Sequence, residues 1–365
     1  LTMDKLPSKY GNARKYLNGL KEKLFIDDYR FIATSLGVDC AGAKAAFDQV
    51  NGVSTTYRNV LKFSHVETLI IHPGMFKWTT FRIYPEVQIC TEPFKAYQKI
   101  KLIQPTHIHI GTEGPIGLAA RIYCKIHNIP YTTGYHTKFP EYLWKLARIP
   151  CAMTYGYLKI FHNDSKAILV PSQSCKEELN KKGFNQVFVW TRGVSKNLIS
   201  HKPYRKSKIP KIIYVGRVSK EKNLEVLCEL QDKFAITIVG EGPLLYKLKS
   251  KFPKVNFLGY RFGSALADTY KSHDVFCFPS KTDTFGIVMI EALANGLPVA
   301  AFNVTGPKDI VEEGKTGYLG DSLEDNIRRC LKLDRKKIAS NINQQWSWHK
   351  CIEILHSHLL NEVKK

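Results

Sequence analysis

Short apolar runs that end in glycine- or proline-containing polar turns, and then pass into longer stretches of helical period, recur along most of this sequence. No other feature limits the fold as strongly. A run such as His107–Ile110 or Ala167–Pro171 is too short and too evenly apolar for a surface helix, and fits a strand buried on both faces of a parallel sheet. On this pattern strands are predicted at Phe31–Ser35, Val66–Ile71, His107–Ile110, Pro130–Thr133, Ala167–Pro171 and Val187–Trp190, with helices at Pro93–Ile103 and Gly117–Asn128. Residues 3–24, ahead of them, read as a charged helix, and Gly37–Phe47, after the first strand, as a Gly/Ala-rich stretch. From Ser200 to Pro210 the alternation stops at prolines and a run of cations, as in a linker between domains. It resumes with strands expected at Lys211–Val215, Ile236–Val239, Val255–Leu258, Val275–Phe278 and Val299–Phe302, and closes with a helix reaching Leu360. The fold class is therefore α/β, with two parallel-sheet domains, and 365 residues suffice for two hydrophobic cores.

In open α/β sheets ligands bind at the loops that follow the strands, and the unusual residues of this chain collect there. The most informative stretch is Pro279–Ala300, which carries Asp283 in a turn and Glu291 in an apolar run that reads as a helix from about Phe285. A helix N-terminus offers unpaired N–H groups and a positive dipole end, which suit a phosphate or sugar hydroxyl. Glu291 is surrounded in sequence by Met289, Ile290, Ala292 and Leu293, and a carboxylate in such a setting needs hydrogen-bond partners. An isolated pair of acids at this spacing is more often plain surface charge, and the apolar context is what argues otherwise.

Other loops add cations and glycines. Gly216-Arg217-Val218 follows one expected strand, with Lys222-Asn223 opening a helix; Gly240 and Tyr260 follow two more. In the first half, Asn51-Gly52 precedes a helix expected over Val53–Leu61, and Glu113 and Gly134-Tyr135-His136 follow strands. Glu141–His162 mixes Tyr142, Trp144, Lys145, Arg148, Tyr155, Tyr157, Lys159 and Phe161, the composition of a membrane-interface face or of a partly buried helix pair.

The net charge of +22 points to an anionic partner: nucleotide phosphates, an anionic leaflet or nucleic acid. No nucleic-acid module is present, and such a role would leave the glycine loops and Glu291 unexplained, so no nucleic-acid partner is expected. No apolar run reaches the roughly 18 residues of a spanning helix, and no secretory leader is apparent. Nine scattered cysteines without C-x2-C spacing read as reduced thiols of a cytoplasmic protein. No Asp-x-Asp triplet occurs, so no metal or other cofactor is expected.

The segment P-S-K-T-D-T-F-G-I-V-M-I-E-A-L-A-N-G-L-P-V resembles the donor-site signature of the retaining glycosyltransferases of family 4, enzymes of the two-domain GT-B fold. Y-H-T at Tyr135–Thr137, R-G-V at Arg192–Val194 and V-G-R-V with its following Lys222 are similar to further segments of that family. The resemblance covers residues 49 to about 360 and implies two Rossmann-like domains facing a central cleft, as in the bacterial lipid glycosyl- and mannosyltransferases. Expected boundaries are 1–196 for the acceptor-binding domain, with 1–48 atypical, 197–209 for a linker, 210–340 for the nucleotide-sugar domain, and 341–365 for a helix returning to the first domain.

The resemblance also implies roles. Glu291 would bond the ribose, Asp283 would meet the transferred sugar, Arg217 and Lys222 would neutralise the diphosphate, and His136 would stand beside the reaction centre. Gly52, Gly240, Tyr260, Thr284, Phe285 and Gly286 would complete the donor site, and Asn51, Glu113, Tyr135 and His136 would face the acceptor. The expected activity is retaining, metal-independent transfer of a hexose from a UDP- or GDP-sugar to a membrane lipid such as diacylglycerol. A monomer or weak dimer, held peripherally on the inner face of the cytoplasmic membrane, is expected to do so. A soluble or polysaccharide acceptor, or a GT-B epimerase, is the alternative.

Overall fold

The computed structural model describes residues 30–33, 52–64, 68–81, 84–205 and 207–360. The segment 3–24, the Gly37–Phe47 stretch and Asn51 lie outside the described residues. Two six-stranded parallel sheets carry the chain. The first contains β1 (Arg30–Ala33), β2 (Thr68–Ile71), β5 (His107–Ile110), β6 (Tyr131–Gly134), β7 (Ala167–Val170) and β8 (Val187–Val189), in the order β2-β1-β5-β6-β7-β8. A hairpin of β3 (Trp78–Phe81) and β4 (Tyr84–Cys90) stands apart from it. The sequence pattern did not anticipate this hairpin, because its residues neither alternate cleanly nor form an apolar run.

Four-residue strands with every side chain buried, as in β5, β6 and β7, require helices on both faces. On one face Ile108 and Ile110 pack against the helices Pro93–Ile103 and Pro115–His127, and Ile168 and Val170 pack against Cys151–His162 and Gln173–Lys181. On the other, Ala167 and Leu169 meet the helix Gly52–Phe63 and the last helix, Trp348–Leu360. That last helix thus packs on the first sheet, although the chain reaches it only after completing the second. Trp190 Nε1 donates to the Cys351 carbonyl at 2.9 Å. Gly193 lies where the two passages cross; a Cβ there would come within 2.3 Å of the Trp348 nitrogen.

The second sheet contains β9 (Lys211–Val215), β10 (Ala235–Val239), β11 (Asn256–Phe257), β12 (Val275–Phe278), β13 (Val299–Ala301) and β14 (Gly317–Leu319), ordered β11-β10-β9-β12-β13-β14. Gly317 opens β14 and packs so closely on β13 that a Cβ would meet the Val299 carbonyl at 2.1 Å. The strand order reverses about β9, so the loops leaving β9 and β12 flank the crevice where a ligand enters such a sheet. These are the loops that hold Arg217, Lys222 and Asp283.

Candidate active site

The helix that carries Glu291 begins at Ile287, two residues later than the sequence suggests. Gly286 adopts φ +90°, a left-handed conformation that delays the first helical turn. A Cβ at Gly286 would also strike the Met289 methyl at 2.7 Å and the Phe278 ring at 2.9 Å. Glu291 therefore lies about 6 Å along the axis from the first helical residue. It is no surface charge: only 7% of its surface is exposed, and Oε2 accepts a 3.0 Å hydrogen bond from the Tyr270 hydroxyl. Burial lifts its carboxyl from the ordinary 4.5 to about 7, against the opposing effect of the Tyr270 bond. Tyr270 lies 21 residues upstream on the helix Gly263–Lys271, a partnership no local pattern discloses.

At the turn, Lys222 Nζ donates to Asp283 Oδ1 at 2.5 Å. Burial alone would lower the Lys222 pKa, but the adjacent Asp283 charge outweighs it and holds the ammonium above its ordinary value. Asp283 Oδ2 is buried with no hydrogen-bond partner among the described residues, an acceptor that a sugar hydroxyl would satisfy. Asn223, in the left-handed conformation at φ 55°, donates to the Pro279 carbonyl at 3.2 Å and ties the β9 and β12 loops together. Arg217 Nη1 lies 3.9 Å from Glu221 Oε1. Gly240 is required by backbone crowding, since a Cβ would meet the Gly216 carbonyl at 2.1 Å, and its N–H is taken by the Gly259 carbonyl at 2.8 Å. Tyr260 is 47% exposed and stacks on Phe262, 57% exposed, with ring planes 22° apart. Phe262 was not singled out in sequence; the pair makes a flat aromatic surface of the kind a nucleobase stacks on.

Two expected contact residues lie elsewhere. The Phe285 ring is in the second core, edge-on to Trp346 at 5.4 Å, and Tyr135, 1% exposed, packs with Tyr155 and Leu158 beneath the first sheet. Aromatic rings next to strand ends bury more apolar area inward than a cleft offers, so the core takes them. Thr284 faces across the cleft: its hydroxyl donates to the His136 carbonyl at 2.7 Å, while Ser172 donates to the Thr284 carbonyl at 3.1 Å. His136 itself is half-buried, with Nδ1 3.0 Å from Arg192 and Nε2 2.9 Å from the Tyr57 hydroxyl. Gly52 opens its helix, and among the described residues nothing lies within 4 Å of a notional Cβ there.

Glu113 is 9% exposed and binds His162 Nε2 at 3.1 Å. It also lines a largely apolar groove of about 580 Å³, together with Phe94, Tyr97, Leu118, Ile122 and Tyr157. Leu118, Ile122 and Ile126 form an exposed stripe at helical spacing, and Met153, Tyr157 and Ile160 form another on Cys151–His162. Of the aromatic residues in Glu141–His162, Trp144 and Tyr157 are exposed whereas Tyr155 and Phe161 are core; the side chains of Tyr142 and Lys145 lie outside the described residues.

Residues 51–198 match the family model for Glycosyltransferase Family 4, and residues 195–344 match that for glycosyl transferases group 1. The chain belongs to this family. It is similar to a sulfoquinovosyl transferase of Arabidopsis thaliana, 31% identical over 286 residues that make up 68% of this chain and 55% of that protein. The match thus spans about half the length of the plant relative. An alpha-monoglucosyldiacylglycerol synthase of Streptococcus pneumoniae is 24% identical over 326 residues, covering 75% of this chain and 73% of that one. Among solved structures, a sucrose-phosphate synthase of Thermosynechococcus elongatus superposes with a TM-score of 0.69 at 18% identity, over 90% of this chain and 98% of its own. The fold is GT-B.

In a glycosyltransferase this arrangement has a definite chemical capacity. A buried carboxylate suits ribose hydroxyls, an exposed aromatic pair suits a nucleobase, and the cations of the β9 loop suit a diphosphate. An unsatisfied Asp283 oxygen next to Lys222 suits a sugar hydroxyl.

Proposed function

We propose that this glycosyltransferase moves a hexose, with retention and without a metal ion, from a UDP- or GDP-sugar to a membrane lipid such as diacylglycerol, at the cytoplasmic face of the membrane. The nucleoside is held by Glu291 and the Tyr260–Phe262 pair, the diphosphate by Arg217, Lys222 and the helix start at Gly286, and the sugar by Asp283. As the glycosidic bond breaks, negative charge grows on the departing diphosphate, and fixed cations in a closed cleft stabilise that change most. Attack from the same face, assisted by the leaving phosphate, would give retention.

The observation that carries the acceptor reading is the apolar groove lined in part by Glu113, Leu118, Ile122 and Tyr157, the last three belonging to two exposed apolar stripes. Acyl chains would lie in the groove, and Lys99 and Lys101, on the helix Pro93–Ile103 that contributes Phe94 and Tyr97 to it, would meet lipid phosphates. The diacylglycerol named for the streptococcal relative supports that choice.

The test is transfer from radiolabelled UDP-glucose or GDP-mannose in excess EDTA, with anionic vesicles containing diacylglycerol set against soluble sugars in the absence of membrane. Glycosylated lipid at undiminished rate in EDTA is the expected result. Full activity on a soluble sugar would favour a polysaccharide or small-molecule acceptor instead, and turnover restored only by manganese or magnesium would overturn metal independence.

A further inference from the structure

Five side chains from separate parts of the first domain meet at the cleft ends of β5 and β6. Arg192 Nη2 lies 3.0 Å from His136 Nδ1, His136 Nε2 lies 2.9 Å from Tyr57 Oη, Tyr57 Oη lies 2.8 Å from His109 Nε2, and His109 Nδ1 lies 2.7 Å from Thr132 Oγ1. The space they occupy is cleared by two glycines. A Cβ at Gly111 would come within 2.6 Å of Tyr57 Oη; one at Gly134 would come within 2.6 Å of His136 Nε2 and 3.1 Å of Tyr57 Oη.

The direction of every proton in this row follows from one fact. A guanidinium has N–H donors and no acceptor. Facing Arg192, His136 Nδ1 must present its lone pair, so the proton of the neutral ring sits on Nε2 and is donated to Tyr57. Having accepted that bond, the Tyr57 hydroxyl turns its own proton to His109 Nε2, which leaves the His109 proton on Nδ1, donated to Thr132. Arg192 is itself anchored, giving Nη1 bonds to the Trp190 and Thr191 carbonyls at 2.6 and 3.0 Å.

We infer that Arg192 locks His136 as its Nε2–H tautomer and His109 as its Nδ1–H tautomer, with Tyr57 the positioning residue that couples them. Neutrality of both rings agrees with their setting: burial and the nearby Arg192 charge push His109 down to about 3 and His136 well below its ordinary range. His136 consequently has no free lone pair on either nitrogen, its Nδ1 facing Arg192 and its Nε2–H given to Tyr57, so beside a sugar it cannot act as a base. That last step rests on the donor-site reading given above, whereas the tautomers do not depend on it.

The test is a long-range 15N–1H correlation spectrum of the full chain labelled at histidine, near pH 7 and without ligand, with His136→Gln and His109→Gln assigning the signals. His136 and His109 are expected to show opposite neutral tautomers. In Tyr57→Phe, which leaves Arg192 in place, His136 keeps its tautomer while His109, relieved of its donor, becomes a mixture. Arg192→Gln, able to offer either an N–H or an oxygen, should scramble His136. A protonated His136, an Nδ1–H His136, or an Nε2–H His109 in the unmodified chain overturns the assignment even if Arg192→Gln does not fold. Loss of the sugar-binding reading alone would appear differently, as the predicted tautomers in a chain that fails to turn over UDP-glucose or GDP-mannose.

Discussion

Glu291 shows how a single buried group can report on ligand. Its carboxyl titrates at about 7 in the folded chain against an ordinary 4.5. Between those values the folded chain holds a proton that the unfolded chain has released, so this group's contribution to stability falls as pH rises through that window. Ribose hydroxyls that donate to the carboxylate favour the ionised form. Affinity for UDP or GDP is therefore expected to rise with pH, by up to about tenfold per unit below 7, and to level off above it. Calorimetry from pH 5.5 to 8.5 in buffers of different ionisation enthalpy would show proton release on the acid side; a flat profile without release would remove Glu291 from the nucleoside site. Glu291→Gln should flatten the profile and weaken binding by roughly 1–3 kcal/mol.

Helices set the next scale, and the exposed stripes on Pro115–His127 and Cys151–His162 are their least explained property. Leu118 and Ile122 are 39% and 43% exposed, so replacing both with Glu should alter stability by only about 0.5 kcal/mol each. The same change places negative charge on the face proposed to meet an anionic membrane and removes apolar lining from the groove. Flotation with anionic vesicles is expected to fall at least tenfold, while binding of nucleoside diphosphate stays unchanged. Binding of the unmodified chain should weaken with added salt, because polybasic attraction contributes about 1 kcal/mol per cation and is screened within a Debye length. Equal flotation of the variant and the parent would place the membrane contact elsewhere.

At the scale of the whole molecule, the two sheets are joined across the cleft by a few polar contacts as well as by the returning helix. Asp309 accepts from the Ser174 N–H at 2.8 Å and from its hydroxyl, placing a carboxylate at the N-terminus of the helix Gln173–Lys181. Lys138 reaches Thr305 at 3.3 Å, and Thr284 reaches the His136 carbonyl. Removing charge-assisted bonds worth about 1.5–3 kcal/mol should shift the balance between closed and open clefts by roughly ten- to a hundredfold. Asp309→Ala is accordingly expected to increase the radius of gyration in solution scattering and to raise the donor KM, with its thermal midpoint nearly unchanged. An unaltered scattering curve and KM would mean that the returning helix alone fixes the domains.

The sequence by itself determined the alternation of strands and helices and the strand-end loops that carry Arg217, Lys222, Asp283 and His136. These features are local: a buried parallel strand must be apolar throughout, and a loop at its end must turn, so each is written in a few adjacent residues. Glu291 could be singled out because a carboxylate in an apolar run is anomalous where it stands. Its partner Tyr270 could not, nor could the Tyr57–His109 contact beside His136, because those bonds join residues 21 and 52 positions apart. The assignment of Tyr135 and Phe285 to cores, and of Thr284 to a contact across the cleft, also depended on which side of a strand end each residue faces. Only the tertiary structure decided these points, since burial and hydrogen-bond partnership belong to the packed arrangement of distant segments and have no period along the chain.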